Sequence, residues 1–136
     1  MSDYILSNSN FTDVVDGQIH TCKSYLTSKA DEYAADVDRL HNFRTAASLQ
    51  GVSMREALSG MMAKHTISVF DLCRSEQSAP LAMWEEKITD HINYLLLLRA
   101  VVQEEHNNEV DNAIRVDNVI RDENDIPLVR FCTNDQ

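Results

Sequence analysis

Glu86, Asp90 and Asn93 stand at i, i+4 and i+7. On a helix that spacing puts all three on one face. Opposite them runs an apolar stripe of Leu81, Trp84, Ile88, Ile92, Leu95, Leu98 and Val102. Carboxylates one turn apart have two readings. On a solvated outer face they carry charge and nothing more. Partly buried, they need cations, and hard ions such as Mg²⁺ take oxygens from one or two carboxylates together with substrate phosphates. The segment turns apolar on every side at Tyr94–Leu98, the mark of a helix covered all round. The Asn93 side is therefore expected to face protein.

Neighbouring segments carry matching polar stripes. Lys29, Glu32 and Asp36 repeat the spacing, as do Lys64, Ser68 and Asp71, while Asp38, His41 and Asn42 share a third face. Helices joined by short loops would converge these groups on one polar pocket. Lysines in such a pocket supply point charges for phosphate. Other metal chemistry fits less well. A carboxylate-bridged di-iron bundle wants Glu-x-x-His on two helices, and Asp38-Arg39-Leu40-His41 is the one similar pair. Zinc wants clustered Cys or His, whereas His20, His41, His65, His91 and His106 are scattered singly. His65 lies on an apolar stripe and reads as a core histidine. Cys73 reads as core packing.

Several of these residues fall in motifs: Lys29-Ala30-Asp31-Glu32-Tyr33, Asn42-Phe43, Lys64, and the block from Glu86-Lys87 through Asp90, Asn93 and Tyr94 to Leu95. Over roughly residues 25–105 the chain resembles a set of small phage proteins grouped as a nucleotide-modification-associated family. That family shows K-x-x-[DE]-Y, N-F and a closing E-K-x-x-D-x-x-N-Y block. It is in turn similar to the MazG-type all-α nucleoside triphosphate pyrophosphohydrolases. The resemblance implies a helical bundle, usually oligomeric, that binds Mg²⁺ through acids on two adjacent helices. It implies hydrolysis of a nucleoside triphosphate to monophosphate and pyrophosphate.

Carried over by residue, the resemblance makes Glu86 and Asp90 the acidic pair of the last core helix. Glu32 is the nearest match to the earlier acids, with Asp36 or Asp38 as a second. Glu32, Glu86 and Asp90 would hold Mg²⁺ or Mn²⁺, and Asp38 would be a spare ligand or water-orienting base. Lys29 and Lys64 would neutralise phosphate charge, while Asn93 and His41 would orient the substrate or the groups around the metal. The chain lacks the E-x-x-E tetrad of the earlier MazG helix, and its later pair is spaced by four rather than three. A bundle that binds nucleotides without turning them over stays open. So does a non-catalytic acidic interaction protein, acting as a host-factor inhibitor or nucleic-acid mimic. The enzyme needs the Glu86/Asp90 stripe inward, near Glu32 or Asp38; the mimic needs it outward on a continuous acidic surface.

The elements that must position these residues are helical. Gly51 suits the residue after a helix end, Ser53-Met54-Arg55-Glu56 fits a capping box, and Pro80 suits a first helical turn. They divide the chain into helices near 12–35, 37–50, 54–74 and 80–106, with the division near Asp36 the weakest. The expected fold is all-α, a four-helix or five-helix bundle, with a bundle domain over 1–106 and an acidic C-terminal extension over 107–136. Val110, Ile114 and Val116 to Ile120 either extend the fourth helix or form a short fifth. Leu128 to Cys132, beyond Pro127, would pair as a short strand or dock loosely.

Length and composition bound the function. With 136 residues and 43% apolar content the chain is one ordinary domain. Three Gly and two Pro argue against an all-β sandwich, and no Gly-rich loop suits a Rossmann or P-loop nucleotide site. The net charge of −10 argues against direct nucleic-acid binding. Residues 104–136 hold nine acids against three arginines, which suits a basic protein partner for the tail. Three widely spaced cysteines, Cys22, Cys73 and Cys132, read as reduced thiols. The opening residues carry no secretory signal pattern, and the longest apolar run, five residues, is too short for a membrane span. A cytoplasmic chain is expected, of the host cell if phage-encoded. Surface Met and Trp residues point to a homo-oligomer.

Overall fold

The computed structural model describes residues 3–32 and 38–124, with the side chains of 29–32 and 122–124 outside that description. Its elements are four helices: α1 (Asn8–Glu32), α2 (His41–Gln50), α3 (Met54–Arg74) and α4 (Leu81–Asn124). The fold is all-α and bundle-like, as expected. No helix among the described residues is long and apolar enough to cross a membrane. The chain divides into two compact units, Met1–Val101 and Val102–Gln136, with the division inside α4.

Local chemistry sets each helix end. Ser7, not a residue near 12, opens α1: its Oγ accepts from the Asn10 amide at 3.2 Å, and its carbonyl accepts from Phe11 at 2.9 Å. The Asp38 carboxylate accepts the Leu40 amide at 3.0 Å, folding the chain into a turn that delays α2 to His41. Gly51 ends α2 in the left-handed region (φ 67°), and the Val52 amide reaches back to the Ala47 carbonyl at 3.0 Å. The expected capping box opens α3: Ser53 Oγ accepts the Glu56 amide at 3.2 Å, and Glu56 Oε2 accepts the Ser53 amide at 3.0 Å. The Pro80 carbonyl starts α4 by accepting from Met83 at 3.0 Å.

Of the two alternatives for Val110 to Ile120 the structure takes the extension: α4 runs on past 106 to Asn124. Val110–Arg115 and Val116–Arg121 are two copies of Val-Asp-Asn-x-Ile-Arg. Each copy sets Asp four residues before Arg, a spacing that favours a helix. Six residues turn a helix by about 600°, so equivalent side chains of the two copies face different directions. Val110, Ile114, Val116, Val119 and Ile120 are accordingly all exposed. The Leu128 to Cys132 expectation lies outside the described residues.

The first unit has its core where α2, α3 and α4 meet. Leu40, Phe43, Leu58 and Val101 are buried there, walled by Met54, Met61, Met62, Tyr94, Leu97 and Leu98. This corrects the apolar stripe expected for α4. Tyr94, Leu97, Leu98 and Val101 face the core, whereas Leu81 is 73% and Leu95 47% exposed. Because α4 is apolar all round at 94–98, periodicity offered two faces, and α2 and α3 took the second. Cys73 is also corrected: it is exposed, while Cys22 is buried.

Candidate active-site cleft

The helix α1 lies across α4 in antiparallel fashion. Gln18 Nε2 donates to Thr89 Oγ1 at 2.8 Å, and further along α1, Thr21 and Tyr25 border the same cleft as the earlier residues Ala82, Glu85 and Glu86 of α4. Together with Thr89 and Asp90 these line a cleft of about 310 Å³. Three of its seven lining residues are carboxylates, and Tyr25 supplies an aromatic wall.

Glu86 and Asp90, paired by sequence spacing, open on this one cleft. Glu86 is 63% exposed and accepts from Lys87 Nζ at 2.9 Å. That hydrogen bond, with the lysine charge, holds the Glu86 carboxyl below its ordinary range and pushes the Lys87 ammonium up. The Asp90 side chain is 43% exposed, and its Oδ2 lies 3.5 Å from His65 Nδ1 on α3. His65 stacks on Tyr94 with ring centroids 4.6 Å apart. Burial pushes its pKa down, and the Asp90 charge opposes that less strongly. Thr66 Oγ1 and His91 Nε2, 3.0 Å apart, tie α3 to α4 one turn along.

Helix geometry explains the arrangement. At about 100° per residue, Asn93, Glu86 and Asp90 fall between the α4 face that meets α1 and the face that meets α3. Asn93 is half-buried, as expected from the apolar run beside it, and its Oδ1 is shielded from solvent. Neither that oxygen nor His65 Nε2 has a hydrogen-bond partner among the described residues.

The remaining expected site residues are placed as follows. Asp38 is held by Arg44, whose Nε donates to Oδ2 at 2.9 Å, and this bond lowers its pKa. It is thus committed to the turn before α2. His41 is exposed at the start of α2, with Nε2 3.5 Å from Thr45 Oγ1. Lys64 is exposed on α3. Neither lines the cleft. Lys29 and Glu32 follow Tyr25 at i+4 and i+7 in α1, with side chains outside the described residues, and Asp36 lies outside them altogether. Sequence reasoning missed Thr21, Tyr25, Glu85 and Thr89. The signal was present: the Lys29, Glu32 and Asp36 stripe extends back at helical steps through Tyr25 and Thr21.

Carboxylate oxygens are the donors that a hard divalent cation takes. They border the cleft, but among the described residues no group of three His, Cys, Asp or Glu side chains is placed to hold a metal ion. Mg²⁺ commonly keeps waters and substrate oxygens beside one or two carboxylates. Compared with models of known protein families, with curated proteins and with solved structures, the chain matches none, so its reading rests on its own residues.

Proposed function

We propose that the α1/α4 cleft binds a nucleoside triphosphate with Mg²⁺ or Mn²⁺ and that the chain is a MazG-like nucleotide pyrophosphohydrolase of phage type. The observation that carries this reading is the opening of Glu86 and Asp90 onto one cleft with an aromatic wall. Glu86 and Asp90 would hold the cation; Glu32 stands fourteen residues along α1 from Gln18, which meets Thr89, too far along the helix to join them. The bound cation would polarise a phosphoryl oxygen and lower the pKa of an attacking water. The protein's part is positioning and charge balance. Tyr25 offers a flat face to a base and Lys29 neutralises phosphate charge, whereas Asn93 Oδ1 is shielded from solvent and outside the cleft lining. Lys87 already occupies one Glu86 oxygen, which leaves the other for a cation.

A second reading rests on a different observation. Glu86 is more exposed than covered, and beyond Val101 the exposed residues of α4 include Glu109, Asp111 and Asp117. Each unit thus exposes acids of its own, which suits an acidic interaction protein with a basic partner.

The test is thermal unfolding with and without Mg²⁺ or Mn²⁺, then with a panel of nucleoside triphosphates, scoring released pyrophosphate. A ligand of the folded state raises the midpoint by mass action. Stabilisation with pyrophosphate release, both lost in Asp90→Asn, is the expected result. Stabilisation without release makes the protein a nucleotide-binding regulator. No shift with any metal or nucleotide leaves the acidic interaction protein.

A further inference from the structure

Asp90 has a partner that the cleft does not explain. Its Oδ2 lies 3.5 Å from His65 Nδ1, and His65 is outside the cleft lining. The His65 side chain is 14% exposed and comes from α3, a helix the proposed site does not otherwise use. Helix geometry puts it there. His65 stands seven residues after Leu58, about 20° round the helix from it. That is the side of α3 that carries Met61 and Met62 into the core. On α4, Asp90 precedes Leu97 by the same seven residues, with Tyr94 between them. The two faces that pack the core thus also carry His65 and Asp90.

The ring is fixed before any ligand arrives. It stacks on Tyr94 with centroids 4.6 Å apart and planes 30° from parallel, and Tyr94 packs against the buried cluster. Burial pushes the imidazole pKa down, so the ring is neutral at neutral pH. A neutral ring has one N–H and one bare nitrogen. Two arguments place the proton on Nδ1. A bare Nδ1 would turn its lone pair on the Asp90 carboxylate, a repulsion that an N–H converts to attraction. Nε2, for its part, is shielded from solvent with no hydrogen-bond partner among the described residues. A stranded buried N–H is rarer than a stranded acceptor, so Nε2 is the bare nitrogen.

The consequence falls on Asp90. A carboxylate free to rotate must be immobilised to grip a cation, whereas one already held by a single oxygen loses less freedom on binding. Glu86 has the same arrangement, since Lys87 Nζ holds its Oε1 at 2.9 Å. The His65 contact is long for a hydrogen bond, as such contacts commonly are before a ligand draws a site together.

We propose that His65 is a positioning residue for the cleft: its Nδ1–H holds Asp90 Oδ2 and so presents Oδ1 to the cation. This rests on the reading of Glu86 and Asp90 as cation ligands. Groups that hold a ligating side chain from behind typically set metal affinity by about 10–100-fold.

Mn²⁺ titration of the full chain, followed by the electron paramagnetic resonance of the free ion, tests it, with helicity checked by circular dichroism. His65→Phe keeps a flat ring on Tyr94 and removes the N–H. His65→Asn removes the ring and returns an N–H close to the Nδ1 position. Positioning predicts that His65→Phe weakens Mn²⁺ binding at least about tenfold and that His65→Asn recovers most of the loss. A packing role predicts the reverse order, since asparagine forfeits the stack. In metal-free wild type, nitrogen–proton NMR correlation of the His65 ring is expected to show the Nδ1–H tautomer, a readout that needs neither metal nor variant. Three results overturn the positioning role and leave the cation site standing: an Nε2–H tautomer; a folded His65→Phe that binds Mn²⁺ as tightly as wild type; and a His65→Asn that binds more weakly than His65→Phe. Wild type that binds no Mn²⁺ overturns the cation reading itself, and the role of His65 with it, whatever the tautomer.

Discussion

Thr89→Val isolates the bond that sets α1 beside the cleft. Thr89 is 4% exposed, the one polar residue in the buried class among those described, and its Oγ1 accepts from Gln18 Nε2 at 2.8 Å. Valine keeps the shape and removes the acceptor. The Gln18 amide then retains only a contact with Cys22 Sγ at 3.4 Å. A net hydrogen bond contributes about 0.5–1.5 kcal/mol, and a stranded buried donor costs about 1–3 kcal/mol. Gln18 is half-buried and can turn toward water, so the lower end applies: about 1 kcal/mol. On a domain of this size that lowers Tm by roughly 3–6 °C. Gln18→Met strands the buried Thr89 hydroxyl instead and costs about 1–3 kcal/mol. The double variant removes both partners, so its loss is smaller than the sum of the singles by about 1 kcal/mol. Urea unfolding of the four proteins closes the cycle. Additivity within about 0.3 kcal/mol refutes the claim that this bond fastens α1 to α4.

Two further outcomes follow from the fold. Leu58 is fully buried in the cluster with Leu40, Phe43 and Val101, so Leu58→Ala lowers unfolding free energy by about 3 kcal/mol, read by urea denaturation; a loss under about 1 kcal/mol refutes the assigned core. The folded-state pKa of His65 is lowered, mainly by burial. The unfolded chain therefore takes up a proton first as pH falls through about 6.5, and stability present above that pH is lost below it. The slope from this residue is at most about 1.4 kcal/mol per pH unit. Comparing Tm against pH for wild type and His65→Gln isolates it, and superimposable profiles refute it.

Helix punctuation was legible because it depends on neighbours in sequence. Gly51, Ser53 with Glu56, and Pro80 each mark an end that the structure places within a residue. The start of α1 was misplaced because Ser7 caps from within a polar run that has no apolar period of its own. The end of α4 was obscured by β-branched residues, whose weak helix propensity is offset by Asp–Arg spacing. The pairing of Glu86 with Asp90 was legible from a four-residue step. Their neighbours across the cleft were not, since Thr21 and Tyr25 reach them only through the packing of α1 on α4. Nor could a period choose between two apolar faces of one helix. His65 illustrates the same limit: its stripe is apolar, yet its ring meets Asp90.

The Gln18–Thr89 contact spans 71 residues of chain, and that separation orders events during synthesis. At about 5–20 residues per second, Thr89 is made about 4–14 s after Gln18. For that interval α1 has nothing to dock on. The α2–α3 hairpin has no such wait: its turn is three residues, Gly51 to Ser53, and helical hairpins with local contacts close in microseconds to milliseconds. Leu58, though, waits for Val101 to complete its surroundings. The nascent chain therefore holds a formed hairpin and a bare amphipathic helix side by side until α4 arrives, and every apolar side chain of α1 is a chaperone ligand or an aggregation risk in the meantime.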